Sequence, residues 1–342
     1  MKKIAMSNIE ALFSKIAGDQ LLVMPIMKAG QANFLPWSEG AETALDAIHT
    51  VKSPKDMFFP QSEDIVGFKV EGKKIEIIEG DRADAPFVLF GVHACDCRAI
   101  DVLDKVFLSE PVDTFYAARR NAGTVVTLAC NKPEETCFCN VFGIDPTEPA
   151  GDVSCWIENG ELFWRANTEK GEALTALVAD VLTEGDEAAV EAQKAATKAI
   201  MEKLPLAKLS LNGFDGEHLM EKFNSPKWAE LYKCCLGCGT CTFVCPTCQC
   251  YDVRDYDNGH GIQRFRCWDS CMYKDFTMMS HGTNRKTQME RFRQRFMHKL
   301  VYYPENNDGL FSCVGCGRCL AKCPISMNIV KVMKKIGGKV SE

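Results

Sequence analysis

No stretch of this 342-residue chain stays apolar for anything near the roughly eighteen residues that a membrane-crossing helix needs. The opening segment 1–18 begins with Lys2 and Lys3 but is broken by Asn8, Glu10, Ser14 and Lys15, so it lacks the continuous apolar region of a secretory signal. Both absences point to a soluble, cytoplasmic protein. A large excess of one charge is missing too. The 40 Lys and Arg against 46 Asp and Glu leave a net charge of −6, which argues against a nucleic-acid partner. Nucleotide signatures are absent as well: there is neither G-x-G-x-x-G after a strand nor a P-loop.

Cysteine, by contrast, is abundant, with 19 in the chain. Disulfide-rich secreted scaffolds are short, and this chain is long enough for two domains with real cores. The spacing explains the cysteines better. A C-x2-C-x2-C-x3-C-P run at Cys235, Cys238, Cys241, Cys245 and Pro246 recurs at Cys313, Cys316, Cys319, Cys323 and Pro324. Three thiolates at such intervals wrap one cubane, while the fourth, followed by proline, leaves the turn and ligates the other cluster of a two-cluster ferredoxin. Hence Cys235, Cys238, Cys241 and Cys323 are assigned to one [4Fe-4S] cluster, and Cys245, Cys313, Cys316 and Cys319 to a second. Paired zinc ribbons share the C-x2-C spacing but have no use for the crossed fourth cysteine and its proline.

Along the chain, residues 8–16 read as a helix, and 65–70 with 74–78 as a hairpin across Glu71 and Gly72. Residues 87–92 and 124–129 read as short buried strands, each delivering cysteines at its carboxyl end, with a helix over 98–107 after the first. Cys95, Cys130, Cys137 and Cys139 are therefore expected to converge on a third [4Fe-4S] cluster, with Cys97 or Asp96 as substitutes for Cys95. The plainer reading makes them small buried apolar side chains, as Cys155 is read. Residues 180–204 carry a helical pattern and 205–216 a linker. The fold class expected is an α+β or α/β amino-terminal domain over 1–215, followed by a mainly helical two-cluster ferredoxin-like domain over 216–342.

Between the two cluster motifs lie 67 residues with further thiols at Cys248, Cys250, Cys267 and Cys271. Cys248, Cys250 and Cys271 are candidates for another metal or for redox chemistry; helical packing beside the clusters is the alternative. The Cys234-Cys235 doublet suggests the catalytic motif of heterodisulfide reductases, but its upstream and downstream partners are missing. The basic stretch 285–299 reads as a solvated helix face, although cations near a cubane would raise its potential and an exposed patch could steer an acidic ferredoxin.

Several of these motifs occur together: Cys245, Cys248 and Cys250; Arg266, Trp268 and Cys271; Arg291, Arg295, His298 and Lys299; and the closing run from Cys313 to Cys319. With residues 91–96, 113–120 and 136–139, the set resembles the iron–sulfur electron-transfer family that serves anaerobic sulfite reductase and supplies the β subunit of sulfhydrogenases, soluble NAD(P)-linked [NiFe] hydrogenases. The extra Cys97, Cys234 and Cys267 depart from its pattern. That resemblance implies a non-catalytic electron-transfer protein of an anaerobe, linking a terminal redox subunit to an FAD-containing NAD(P)H-oxidoreductase-type subunit. The terminal partner would be a hydrogenase, a sulfite reductase or a heterodisulfide-reductase-like module. The competing expectation is a reductase that works directly on a sulfur or disulfide substrate through its extra cysteines or amino-terminal cluster.

Overall fold

The computed structural model describes residues 1–259 and 261–337, so the end of the expected 216–342 region lies outside the described residues. Its larger sheet runs, in spatial order, Thr183–Glu184, Lys2–Ala5, Glu161–Ala166, Val153–Glu158, Gly123–Leu128, Phe87–Val92, Leu21–Lys28 and Gln31–Pro36. The four strands from Val153–Glu158 to Leu21–Lys28 are mutually parallel, and antiparallel strands close both edges. Phe87–Val92 and Gly123–Leu128 are buried along their whole length, as the unbroken apolar runs of a doubly covered parallel sheet require.

Alternate side chains of these strands serve two cores. Leu22, Met24, Val88, Phe90 and Val126 pack with Leu12, Phe13 and Ile16 of helix Ile9–Asp19. Val23, Leu89 and Val125 face the other way, onto Ile100, Leu103 and Phe107 of helix Ala94–Phe107 and Tyr116 of helix Thr114–Ala122. Each fully buried side chain of this kind contributes roughly 1.5–3 kcal/mol. Cys155 sits in the first core with no exposure. Helix Ala94–Phe107 begins four residues before the start read from sequence, which places Cys95 and Cys97 inside its first turns instead of in a loop.

A second, four-stranded sheet has the order Tyr251–Asp257, Ile262–Trp268, Ser62–Glu71, Lys74–Glu79. Residues 251–268 of the insertion between the cluster motifs are thus a β-hairpin laid against the amino-terminal hairpin, in a sheet that spans the boundary placed at 215/216, whereas the later part of the insertion is helical over Gln288–Met297. Helical packing around the insertion's cysteines is corrected accordingly: Cys267 lies on the hairpin, and Cys248, Cys250 and Cys271 lie outside any helix. Tyr251–Asp257 pairs with Ile262–Trp268 residue for residue, and the latter strand pairs on its other side with residues 62–68, with one register shift between Arg264 and Phe265. Buried charge ties the sheet down: Glu63 accepts from both Arg119 and Arg266, and Arg266 also reaches Asp113.

The remaining carboxyl-terminal part is built on helix Gln288–Met297, opened by a capping box of Thr287 and Glu290, and helix Ile329–Ile336, capped by Asn328. Phe292, Phe296, Met297, Val332 and Met333 form its core, and Phe138 from the amino-terminal half inserts there.

Candidate metal centre

Three cavities of similar size hold the cysteines. Cys235, Cys238, Cys241 and Cys323 line one, a space of about 360 Å³ partly open to solvent, with Leu236, Met272, Pro324, Ile325 and Met327. Cys245, Cys313, Cys316 and Cys319 line a second, of about 340 Å³. Cys95, Cys130, Cys137 and Cys139 line a third, also about 340 Å³, with His49 and His93. Cys316 and Gly315 border both the second and the third, so those two share a wall. Among the described residues, no three His, Cys, Asp or Glu side chains converge tightly enough to grip a single metal ion. The thiols instead ring wider spaces, and that donor set suits a polynuclear iron–sulfur group better than zinc.

Local backbone geometry explains how the thiols come together. In the first cavity the Gly237 N–H donates to the Cys235 sulfur at 3.4 Å, and the Thr240 hydroxyl meets the Cys238 sulfur at 3.4 Å, which holds the Cys238 thiol below its usual pKa. In the second, Gly315 has φ +61, and a Cβ there would lie 2.4 Å from the Phe138 carbonyl oxygen. Only glycine lets these two backbones touch, and the Phe138 N–H uses the approach to donate to Gly315 O at 2.9 Å. That contact carries the Cys137 to Cys139 loop against the carboxyl-terminal motif and creates the shared wall.

Burial pushes the Cys313 thiol up to about 12 and Cys316 to about 11, so thiolates here need compensating positive charge. It is present. Arg295, 2% exposed, leaves Nε and one terminal nitrogen without hydrogen-bond partners, while the other donates to Cys241 O at 3.1 Å. Burial opposes its charge, but the surrounding Cys241, Cys319, Cys248 and Cys245 outweigh that and raise its pKa. Lys299 is likewise buried and raised by Cys245 and Cys248, and it donates to Thr247 Oγ1 and Ser312 O. The reading of 285–299 as a solvated face is thus corrected for these two residues. Their cost of burial is offset by sulfur.

The third cavity has cations of its own. His93 directs its ring nitrogens at Leu128 O, 2.8 Å away, and at Ala47 O, 3.4 Å away; only a ring protonated on both nitrogens serves two carbonyls. Burial resists that charge, yet the Cys130 sulfur and these contacts lift its pKa to about 9. Asp96 does not face the cavity. Both its oxygens are held at 2.6 Å by Arg318, which belongs to the carboxyl-terminal motif. Cys97 is turned away as well, toward the Ala150 carbonyl, which leaves Cys95 as the cavity-lining residue of the three. His49 contacts Glu134 and the Cys316 carbonyl and stands 3.7 Å from the Cys137 sulfur.

Arg318, Arg295, Lys299, His49 and His93 were not singled out as site residues by spacing. One sign was legible for the first: Arg318 occupies the place that Thr240 takes in the other motif. Cys248, Cys250 and Cys271 border none of these three cavities; Cys248 lies against Cys245, and Cys250 against Cys271. Cys267 is a hairpin residue, and Cys234 is exposed.

His298 adjoins Lys299, and burial, aided by repulsion from Lys299 and Arg285, depresses its pKa to about 4. An unfolded histidine titrates near 6.5 and so binds the proton first as pH falls. Stability is therefore full above pH 6.5 and is lost progressively down to pH 4, about 2 kcal/mol of it by pH 5. Anaerobic urea unfolding should show this loss in the native chain and a smaller one in His298→Phe.

Comparison with known proteins agrees with this donor chemistry. The 4Fe-4S dicluster domain family matches residues 234–327. Over 300 residues the chain is 36% identical to sulfhydrogenase 2 subunit beta of Pyrococcus furiosus, an overlap covering 86% of each protein. No solved structure matches.

Proposed function

The chain belongs to the iron–sulfur electron-transfer subunit family that includes the sulfhydrogenase beta subunit, and from that premise we propose a soluble relay with three [4Fe-4S] sites between a flavin-bearing and a terminal redox subunit. The observation that carries the reading is the trio of cysteine-lined cavities, two with four cysteines each and a third with Cys95, Cys130, Cys137 and Cys139 besides the Cys316 it shares with the second. Cys235, Cys238, Cys241 and Cys323 would hold one cluster, Cys245, Cys313, Cys316 and Cys319 the next, and Cys95, Cys130, Cys137 and Cys139 the third. Bound there, such clusters supply one-electron redox chemistry at potentials set by charge and hydrogen bonds around the sulfurs.

The protein's own part is positional. Arg295, Lys299 and His93 hold fixed positive charge beside the thiolates, and the buried Met272 and Met327 form the inner side of the first cavity. Cys238 is exposed and Leu236 is 64% exposed, so the first cavity is where a partner can approach closely. The second cavity lies deeper, and Cys316 connects it to the third. The partners proposed are a terminal subunit of the hydrogenase or sulfite reductase kind and an FAD-containing NAD(P)H-oxidoreductase-type subunit, with ferredoxin as a further exchange partner. Residues 1–215 and 216–342 act as two regions joined by the small sheet, in the reducing cytoplasm that so many free thiols need.

Anaerobic purification of the native complex tests this. The expected result is a brown protein with broad absorbance near 400 nm, bleached by dithionite, carrying about twelve iron atoms per chain and bound to a flavoprotein. About eight iron atoms would remove the third site, and iron near zero would end the relay reading.

A further inference from the structure

Cys250 and Cys271 stand outside the three cavities, and the hairpin accounts for their meeting. Tyr251 pairs with Trp268, and the Asp269 N–H donates to Cys250 O at 2.9 Å, extending the ladder by one pair. The chain then turns at Ser270, which has no exposure; its hydroxyl accepts from Thr242 Oγ1 at 2.8 Å and from the Met272 N–H at 3.1 Å. That anchored turn carries Cys271 back onto Cys250. The two thiols lie near enough for each to perturb the other's ionisation. Both residues are half-buried, neither being sealed in the core.

We propose that Cys250 and Cys271 form a reversible dithiol–disulfide couple that exchanges with low-molecular-weight disulfides. The Cys250 thiolate attacks one sulfur of RS–SR, forming a Cys250–SR bond and releasing RS⁻. Cys271 then attacks the Cys250 sulfur, closing the protein disulfide and releasing the second RS⁻. Two protein thiols are oxidised, one external disulfide is reduced, and the two protons lost by the cysteines end on the two released thiols.

The surroundings suit that chemistry. The neighbouring Cys271, ahead of the opposing effect of burial, brings the Cys250 thiol down to about 7, near the value at which a thiol attacks disulfides fastest at neutral pH. Lys299 adds positive charge toward both Cys250 and Cys245. A neighbouring pair of free, half-buried thiols matches the transient, functional disulfides of reducing compartments. The couple does not depend on how many clusters the cavities hold.

The test uses the full iron-loaded chain, purified anaerobically, treated with oxidised glutathione, alkylated with iodoacetamide and mapped by mass spectrometry. A Cys250–Cys271 cross-link should form and be reversed by dithiothreitol with iron unchanged. In Cys271→Ala the reaction should stall with glutathione on Cys250. Full alkylation of both residues after oxidant would overturn the proposal, as would cross-linking of Cys250 to Cys248 in place of Cys271. Loss of a cluster's share of iron from Cys250→Ser or Cys271→Ala would also overturn it, by making these residues metal ligands. Where the variants fail to fold, the map of the native chain decides.

Discussion

Replacing Cys323 with serine should strip the iron held with Cys235, Cys238 and Cys241 and spare the iron of Cys313, Cys316 and Cys319. Cys323 is nearer in sequence to the second group, yet its side chain borders the first cavity, while Cys245 borders the second. A proline, which fixes its own backbone φ, follows each of these crossing cysteines, at 246 and 324. Pairs of substitutions make the assignment decisive. Cys235→Ser with Cys323→Ser should lose no more iron than either alone, because both remove ligands of one site. Cys313→Ser with Cys323→Ser should lose about twice as much. Equal losses from both pairs would refute the crossed arrangement, and iron analysis with EPR of the reduced protein reads the outcome.

Arg318→Leu should destabilise the chain by about 3–5 kcal/mol, because it strands the Asp96 carboxylate in a site where neither residue is more than 2% exposed. Two 2.6 Å bonds join the pair, and the same guanidinium donates to the Thr50 carbonyl and hydroxyl at 3.2 Å. Arg318→Leu with Asp96→Leu should recover much of the loss, since a paired deletion leaves no uncompensated charge. Lysine at 318 should do poorly, having one point of charge where a fork is required. Anaerobic urea denaturation with parallel iron assay checks this: destabilisation of less than about 1 kcal/mol by the single change would show that the pair is not what couples the two halves.

Much of the site was legible because cluster spacing is a local constraint. A C-x2-C-x2-C turn presents its thiols inward whatever surrounds it, so both runs could be placed from sequence. Strands 87–92 and 124–129 were legible for a similar reason, since apolar runs of that length with β-branched residues leave few other structures. The start of helix Ala94–Phe107 was not, because His93 and the polar residues after it resemble a loop. Nor was the hairpin at 251–268: its alternation is carried by arginines and aspartates that normally signal a solvated surface, and its partner strand lies nearly 200 residues upstream.

Sequence alone determined the cofactor chemistry, through the number, spacing and following prolines of the cysteines, and it identified the family through motifs that span both halves. Tertiary structure decided what surrounds each thiol. Whether Arg295 and Lys299 face solvent or sulfur, whether Asp96 faces a cavity or Arg318, and whether Cys250 meets Cys271 all depend on contacts between segments far apart in the chain. The physical reason is that a ligand turn is set by bonds within a few residues. Burial of a charge and contact between two thiols arise only when separate elements pack, and that packing also settles whether a cation here is a surface ornament or the counter-charge of a metal site.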